Sequence, residues 1–105
     1  LNTQRGLFGC IVIREKGAPA PDVEQPLFLH ALQPPVTGLR KSFQCINGRT
    51  GAGNTPTIRA QVGQDVAMHV FGGDNFFHDF HVHGHRWKDS GGASVDTQTV
   101  GPSET

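Results

Sequence analysis

A chain of 105 residues holds one domain at most, with room for a modest core and no second globular unit. Lysine plus arginine equals aspartate plus glutamate at nine each, which excludes the basic field of a nucleic-acid binder and an acidic interaction tail. No apolar run approaches the roughly 20 residues of a membrane span, and the first residues lack the charged-then-apolar plan of a signal peptide.

Fourteen glycines and seven prolines, without a long run of helix formers, predict short strands separated by turns, an all-β chain. Leu7 to Ile13 is a continuous apolar, β-branched run, the pattern of a strand buried on both faces. Such a strand needs neighbours on both sides, and only six residues precede it. Glu15 to Pro26 carries three prolines and four charges and reads as an extended linker. The expected organisation is therefore a closing strand of one unit over residues 1–14, a linker over 15–26, and the opening strands of a second unit over 27–105.

Within that second unit, Leu27 to Leu32 is a short apolar strand stopped by Pro34-Pro35. Ser42 to Ile46 is a further strand, closed by Asn47-Gly48, a dipeptide that favours positive φ and tight reversal. Thr57 to Gln61 alternates with period two, and Val62-Gly63-Gln64 turns it into a strand over Asp65 to Phe71. Gly72 to Asn75 forms another turn, and Val95 to Val100 alternates once more before Gly101-Pro102. Strands punctuated by turns at short intervals predict a β-sandwich or Greek-key barrel. Gly51 to Asn54 is read as a turn, because neither Gly-Lys-Ser/Thr nor a helix follows it as a phosphate cradle requires. No nucleophile elbow is present, so hydrolase chemistry has no support.

Cys10 and Cys45 each lie in an apolar segment, far apart, and fit neither a redox Cys-x-x-Cys motif nor a zinc knuckle. Their spacing leaves both buried thiols and a disulfide open. The chemistry concentrates instead in Phe76 to Trp87, which holds four of the six histidines. Imidazole is the commonest metal ligand and suits borderline-soft metals. On a continuous strand His81, His83 and His85 project to one face and His78 to the other, so two half-sites are expected. Gly84 would let a neighbouring group approach His83 closely. His30 and His69 are lone histidines on apolar faces and read as structural. Trp87 reads as a packing anchor.

The run His78-Asp79-Phe80-His81-Val82-His83-Gly84-His85 resembles the His-x-x-His-x-His-Gly-His motif of multicopper oxidases, the laccase-like cupredoxin proteins. Asn47-Gly48-Arg49, Gly53 to Ile58, Val62 to Val66, Arg86-Trp87 and Val95-Asp96-Thr97 resemble the copper-binding domain of the bacterial two-domain type. Leu7 to Ile13 resembles the closing strand of a preceding cupredoxin domain. The resemblance implies a cupredoxin-like Greek-key β-sandwich, incomplete within this chain. It makes His78 a type 1 copper ligand, His81 a type 2 ligand and His83 a type 3 ligand, with His85, Asp79 and Asp96 as supporting groups around them.

The implied cofactor is copper, as a type 1 centre and a trinuclear cluster. The implied activity is one-electron oxidation of a phenol-like or metal-ion substrate, with reduction of dioxygen to water. In that family a later His-Cys-His segment completes the sites, and the chain stops at Thr105 before any such segment. The expectation is thus a piece of a longer oxidase, completed by other segments or chains in a homo- or hetero-oligomer. Its location, by resemblance, is extracellular or periplasmic. Two alternatives stay open: a copper- or zinc-binding module without turnover, and a structural cupredoxin relative.

Overall fold

The burial in this molecule is concentrated on one strand. A computed structural model describes residues 2–105. Four of its buried apolar residues, Leu27, Phe28, Leu29 and Ala31, lie on β1 (Val23–Leu32), and Cys45 and Val100 add to them from other strands. β1 is the middle strand of a three-stranded sheet. It pairs antiparallel with β2 (Phe43–Ile46), Leu29 opposite Ile46 and Leu32 opposite Phe43. On its other side it runs parallel to β3 (Val66–Gly72), from Val23 opposite Val66 to Leu29 opposite Gly72. With a ladder on each edge, β1 tolerates a run of five buried residues, Leu27 to Ala31, rather than an alternating pattern.

A short helix, α1 (Pro34–Thr37), follows β1, because Pro34 and Pro35 fit the first helical turn and end the ladder. The Asn47-Gly48 reversal forms as expected, with φ of 51° and 78°. Ile46 and Arg49 exchange backbone hydrogen bonds across it at 2.9 and 3.0 Å. The Asn47 side chain then extends the β1 pairing. Its Oδ1 accepts the Phe28 N–H at 2.7 Å and its Nδ2 donates to the Pro26 carbonyl at 2.9 Å.

The histidine-bearing part forms two smaller ladders. β4 (His78–His81) pairs antiparallel with β7 (Thr97–Val100), and β5 (Trp87–Lys88) pairs antiparallel with β6 (Ser94–Val95). Trp87 packs against Phe80 with ring centroids 5.9 Å apart, the anchoring role expected of it. The end of β3 is tied to the C-terminal turn: Gly72 donates to the Glu104 carbonyl at 3.0 Å and accepts from Ser103 at 2.9 Å.

The fold is all-β, as composition predicts, with departures in detail. Leu7 to Ile13 pairs with no strand among the described residues, and Ile11 and Ile13 stand 90% and 89% exposed. Thr57 to Gln61 is likewise unpaired, so its alternation carries no ladder. β1 begins at Val23, inside the segment read as linker, because the Asp65 carbonyl takes the Val23 N–H at 3.0 Å and starts the parallel ladder there. The strand expected over Val95 to Val100 breaks at Asp96 into β6 and β7, which pair with different partners. Cys10 and Cys45 are free thiols, Cys45 buried, and burial pushes the Cys45 thiol pKa up. No helix among the described residues is long and apolar enough to cross a membrane. The radius of gyration, 15.1 Å, exceeds the roughly 13 Å of a self-contained domain near 100 residues.

Candidate functional site

β4 sorts its side chains by parity. His78 and Phe80 are half-buried on one face, and Asp79 and His81 are exposed on the other. His78 and His81 thus face opposite sides of the ladder, as their spacing predicts.

On the inner face, His78 is held by Asp74, four residues earlier in the turn after β3. Nε2 of His78 lies 2.8 Å from Oδ1 of Asp74, and that carboxylate is 1% exposed. The same Oδ1 accepts the Phe76 N–H at 2.9 Å, which fixes the carboxylate against its own turn. Asp74 is a buried carboxylate with both donors on Oδ1 and Oδ2 left without a partner among the described residues, and it orients the imidazole ring. The ring lines a cavity of about 570 Å³ whose walls include the apolar Leu29, Ile46, Phe76 and Phe77 and the polar Gln44, Thr55 and Asp79.

Behind this pair lies His30, 1% exposed, whose Nε2 accepts the Gly48 N–H at 3.0 Å. Burial lowers the His30 pKa, the nearby His78 lowers it further, and Asp74 opposes both. His30 is therefore structural, as its apolar setting predicts. His69 is a surface partner of Glu24 at 2.8 Å. The hydrogen bond from His69, aided by the charge of Arg14, holds the Glu24 carboxyl below its ordinary range.

On the outer face the strand ends at His81. Val82 to His85 form a turn, closed by the His85 N–H on the Val82 carbonyl at 3.0 Å and permitted by Gly84 at φ 79°. The expectation of one strand carrying His81, His83 and His85 in alternation is corrected: Gly84 adopts a left-handed conformation, and the ladder stops. The turn still leaves the His81 and His83 rings edge to face, 5.8 Å apart. His81 directs Nδ1 to the Asp96 carbonyl at 2.6 Å. Asp96 thus serves His81 through its backbone, while its side chain faces Arg86 at 3.4 Å in an exposed pair. Asp79 accepts the Thr99 hydroxyl at 2.7 Å. His85 is exposed.

No family model matches the chain, and no solved structure gives a significant match. A curated relative does align. It is a probable nitrite reductase-hydroxylamine oxidoreductase fusion protein of Kuenenia stuttgartiensis, 31% identical over 114 residues that take in 96% of this chain. The chain spans 13% of that protein's length. This finding overturns the laccase-like multicopper oxidase reading, because the relative is named for nitrite reduction and hydroxylamine oxidation. The copper cofactor, the phenol-like or metal-ion substrate and the reduction of dioxygen fall with it. Among the described residues no three His, Cys, Asp or Glu side chains form a group that could hold a metal ion. The physical reason lies in the strand parity and the occupied nitrogens: His78 is turned inward to Asp74, and His81 has only His83 beside it.

Asp74 is the residue that sequence reasoning missed. Gly72 to Asn75 reads as a turn, and the signal available was the four-residue spacing from an acid to His78, which a tight turn can close. Asn47 was read for its backbone conformation alone, although its side chain contributes two further hydrogen bonds.

Proposed function

We propose that this chain is an all-β segment of a longer redox protein that converts small oxygenated nitrogen compounds, nitrite or hydroxylamine. The observation that carries the reading is the 31% identity running along 96% of the chain. Both conversions move protons together with electrons. Histidine is the side chain suited to proton movement near neutral pH, and this segment concentrates four of them in twelve residues. His78, oriented by a buried carboxylate, is the residue best placed to hold or pass a proton. His81, with Nδ1 engaged by the Asp96 carbonyl, and the adjacent His83 form a second, outward pair.

We further infer that the three-stranded sheet and the two smaller ladders belong to a cupredoxin-like Greek-key sandwich completed by other segments or chains of the same protein. The parallel pairing of β1 with β3, the exposed apolar run Leu7 to Ile13 and the large radius of gyration support this reading. Residues 1–14 then close a preceding unit, with a linker that ends at β1. The test is to express the full-length protein and follow the consumption of nitrite and of hydroxylamine with a suitable electron partner. Consumption of either, with loss when His78 and His81 are both replaced by phenylalanine, is expected. A full-length protein that consumes neither substrate rejects the reading.

A further inference from the structure

Two buried polar atoms behind His78 lack partners, and they are of opposite kind. Nε2 of His30 accepts the Gly48 N–H, so the neutral ring carries its proton on Nδ1, and that N–H meets no acceptor among the described residues. Oδ1 of Asp74 takes both donors offered to the carboxylate, the Phe76 N–H and His78 Nε2, while Oδ2 meets none. Both orphaned atoms are enclosed by protein, so each carries the full desolvation cost of its group. The backbone brings the two residues together. Gly73 donates to the Leu29 carbonyl at 2.8 Å, which seats the residue before Asp74 on the residue before His30. A Cβ on Gly73 would lie 3.3 Å from that carbonyl oxygen and 3.4 Å from the His30 Cβ, an approach that a residue without a side chain makes easily. The Asp74 charge reaches the His30 ring, where it opposes the effect of burial.

We propose that His30 is a positioning residue for His78 and acts through Asp74: a small rotation of the two side chains places Nδ1–H of His30 on Oδ2, and the carboxylate bridges two imidazole rings. Hydrogen bonds then run without a break from the Gly48 N–H through His30 and Asp74 to His78 Nε2, at the wall of the cavity that His78 lines. Both orphaned atoms gain the partner they lack. With both oxygens engaged the carboxylate cannot turn, so His78 keeps its proton on Nε2 and its lone pair on Nδ1. This gives His30 a task besides filling the core. An apolar side chain would fill the same space, 1% exposed, with no polar group to satisfy. On the reading of His78 as the residue that holds or passes a proton, the bridge fixes which ring nitrogen takes it up, and the bridge itself is independent of any reaction.

The test reads the bond directly and then its effect on His78. A crystal structure of the chain is expected to place His30 Nδ1 within about 3.2 Å of Asp74 Oδ2. With ¹⁵N-labelled histidine at about pH 8, above the ordinary imidazole range, His30 is expected as the Nδ1–H tautomer and His78 as the Nε2–H tautomer. Two variants divide the roles of the His30 ring. The amide of His30→Asn stands about where Nδ1 does and can donate to Oδ2, while the longer His30→Gln reaches the place of Nε2 and keeps only the acceptor for Gly48. His78 ring shifts are expected to match the wild type in the Asn protein and to move toward a tautomer-averaged value in the Gln protein. A His30 that only fills space would leave His78 alike in both. Should either variant fail to fold, the wild-type separation and tautomers decide. A His30 proton on Nε2, a separate water on each orphaned atom, or His78 shifts in the Gln protein equal to the wild type overturns the proposal. Each readout stands whether or not the full-length protein consumes nitrite or hydroxylamine.

Discussion

Gly48 donates its backbone N–H to Nε2 of His30 at 3.0 Å, which joins the tight turn after β2 to the largest fully buried side chain of β1. A neutral ring is required, because Nε2 must present its lone pair, and the proton then resides on Nδ1. Burial acts in the same direction by lowering the His30 pKa from 6.5.

The sign of the pH dependence follows. A histidine held neutral contributes stability that is complete above its free value of 6.5 and is lost as pH falls from there through the lowered folded value. Urea midpoints are expected to fall between about pH 7.5 and about pH 5.5, and His30→Gln, which cannot titrate, is expected to flatten that part of the curve. A wild-type curve with the same slope as the Gln variant would show that His30 carries none of it.

Asn47 holds β1 to the same turn through its side chain. Asn47→Ala leaves the Phe28 N–H and the Pro26 carbonyl without their partners and is expected to cost about 2 to 4 kcal/mol. Asn47→Asp keeps the acceptor and loses the donor, so roughly half that loss is expected. Chemical denaturation of the three proteins ranks them, and a loss in Asp equal to that in Ala would place the whole effect on the donor to Pro26.

Strand reading from the sequence succeeded where a segment carries both an apolar pattern and a ladder partner. Leu27 to Leu32 meets that condition and lies within β1, and Ser42 to Ile46 and Asp65 to Phe71 meet it and fall, but for their first residues, within β2 and β3. Leu7 to Ile13 and Thr57 to Gln61 have the pattern without the partner, and pairing is a property of the neighbour that periodicity does not encode. The site was legible in part for a similar reason. Parity on a strand separates His78 from His81 correctly, but it fails from His83 onward, where Gly84 turns the chain. The copper assignment rested on motif resemblance, and the motif's spacing says nothing about Asp74, which decides where Nε2 of His78 points.

Gly72 tests the closure between β3 and the C-terminal turn. A Cβ at this position would lie 2.0 Å from the Gly101 carbonyl oxygen and 3.5 Å from Val100 Cγ1. The obstacle is backbone, so the turn must move and the bonds to Ser103 and Glu104 must lengthen. Gly72→Ala is expected to lose about 1 to 3 kcal/mol, the usual range for overpacking, and to speed amide exchange at Gly72 and Ser103 together. Unchanged exchange at Ser103 would mean that the turn yields without opening.

Asp74 separates orientation from charge. Asp74→Ala removes the acceptor for both the Phe76 N–H and His78 Nε2 in a site that is 1% exposed, and a loss of about 2 to 4 kcal/mol is expected. Asp74→Asn keeps an oxygen in the same place and can still accept both bonds, so stability should fall by about 1 kcal/mol or less. The two variants then differ at His78. In the Asn protein the ring keeps Nε2–H and the Nδ1 lone pair, and its ¹⁵N shifts should match the wild type. In the Ala protein the ring is free to exchange tautomers, and the two nitrogens should move toward a common averaged value. If the Ala variant keeps the wild-type ring shifts, the strand alone orients His78, and the carboxylate contributes only to the turn that carries Phe76.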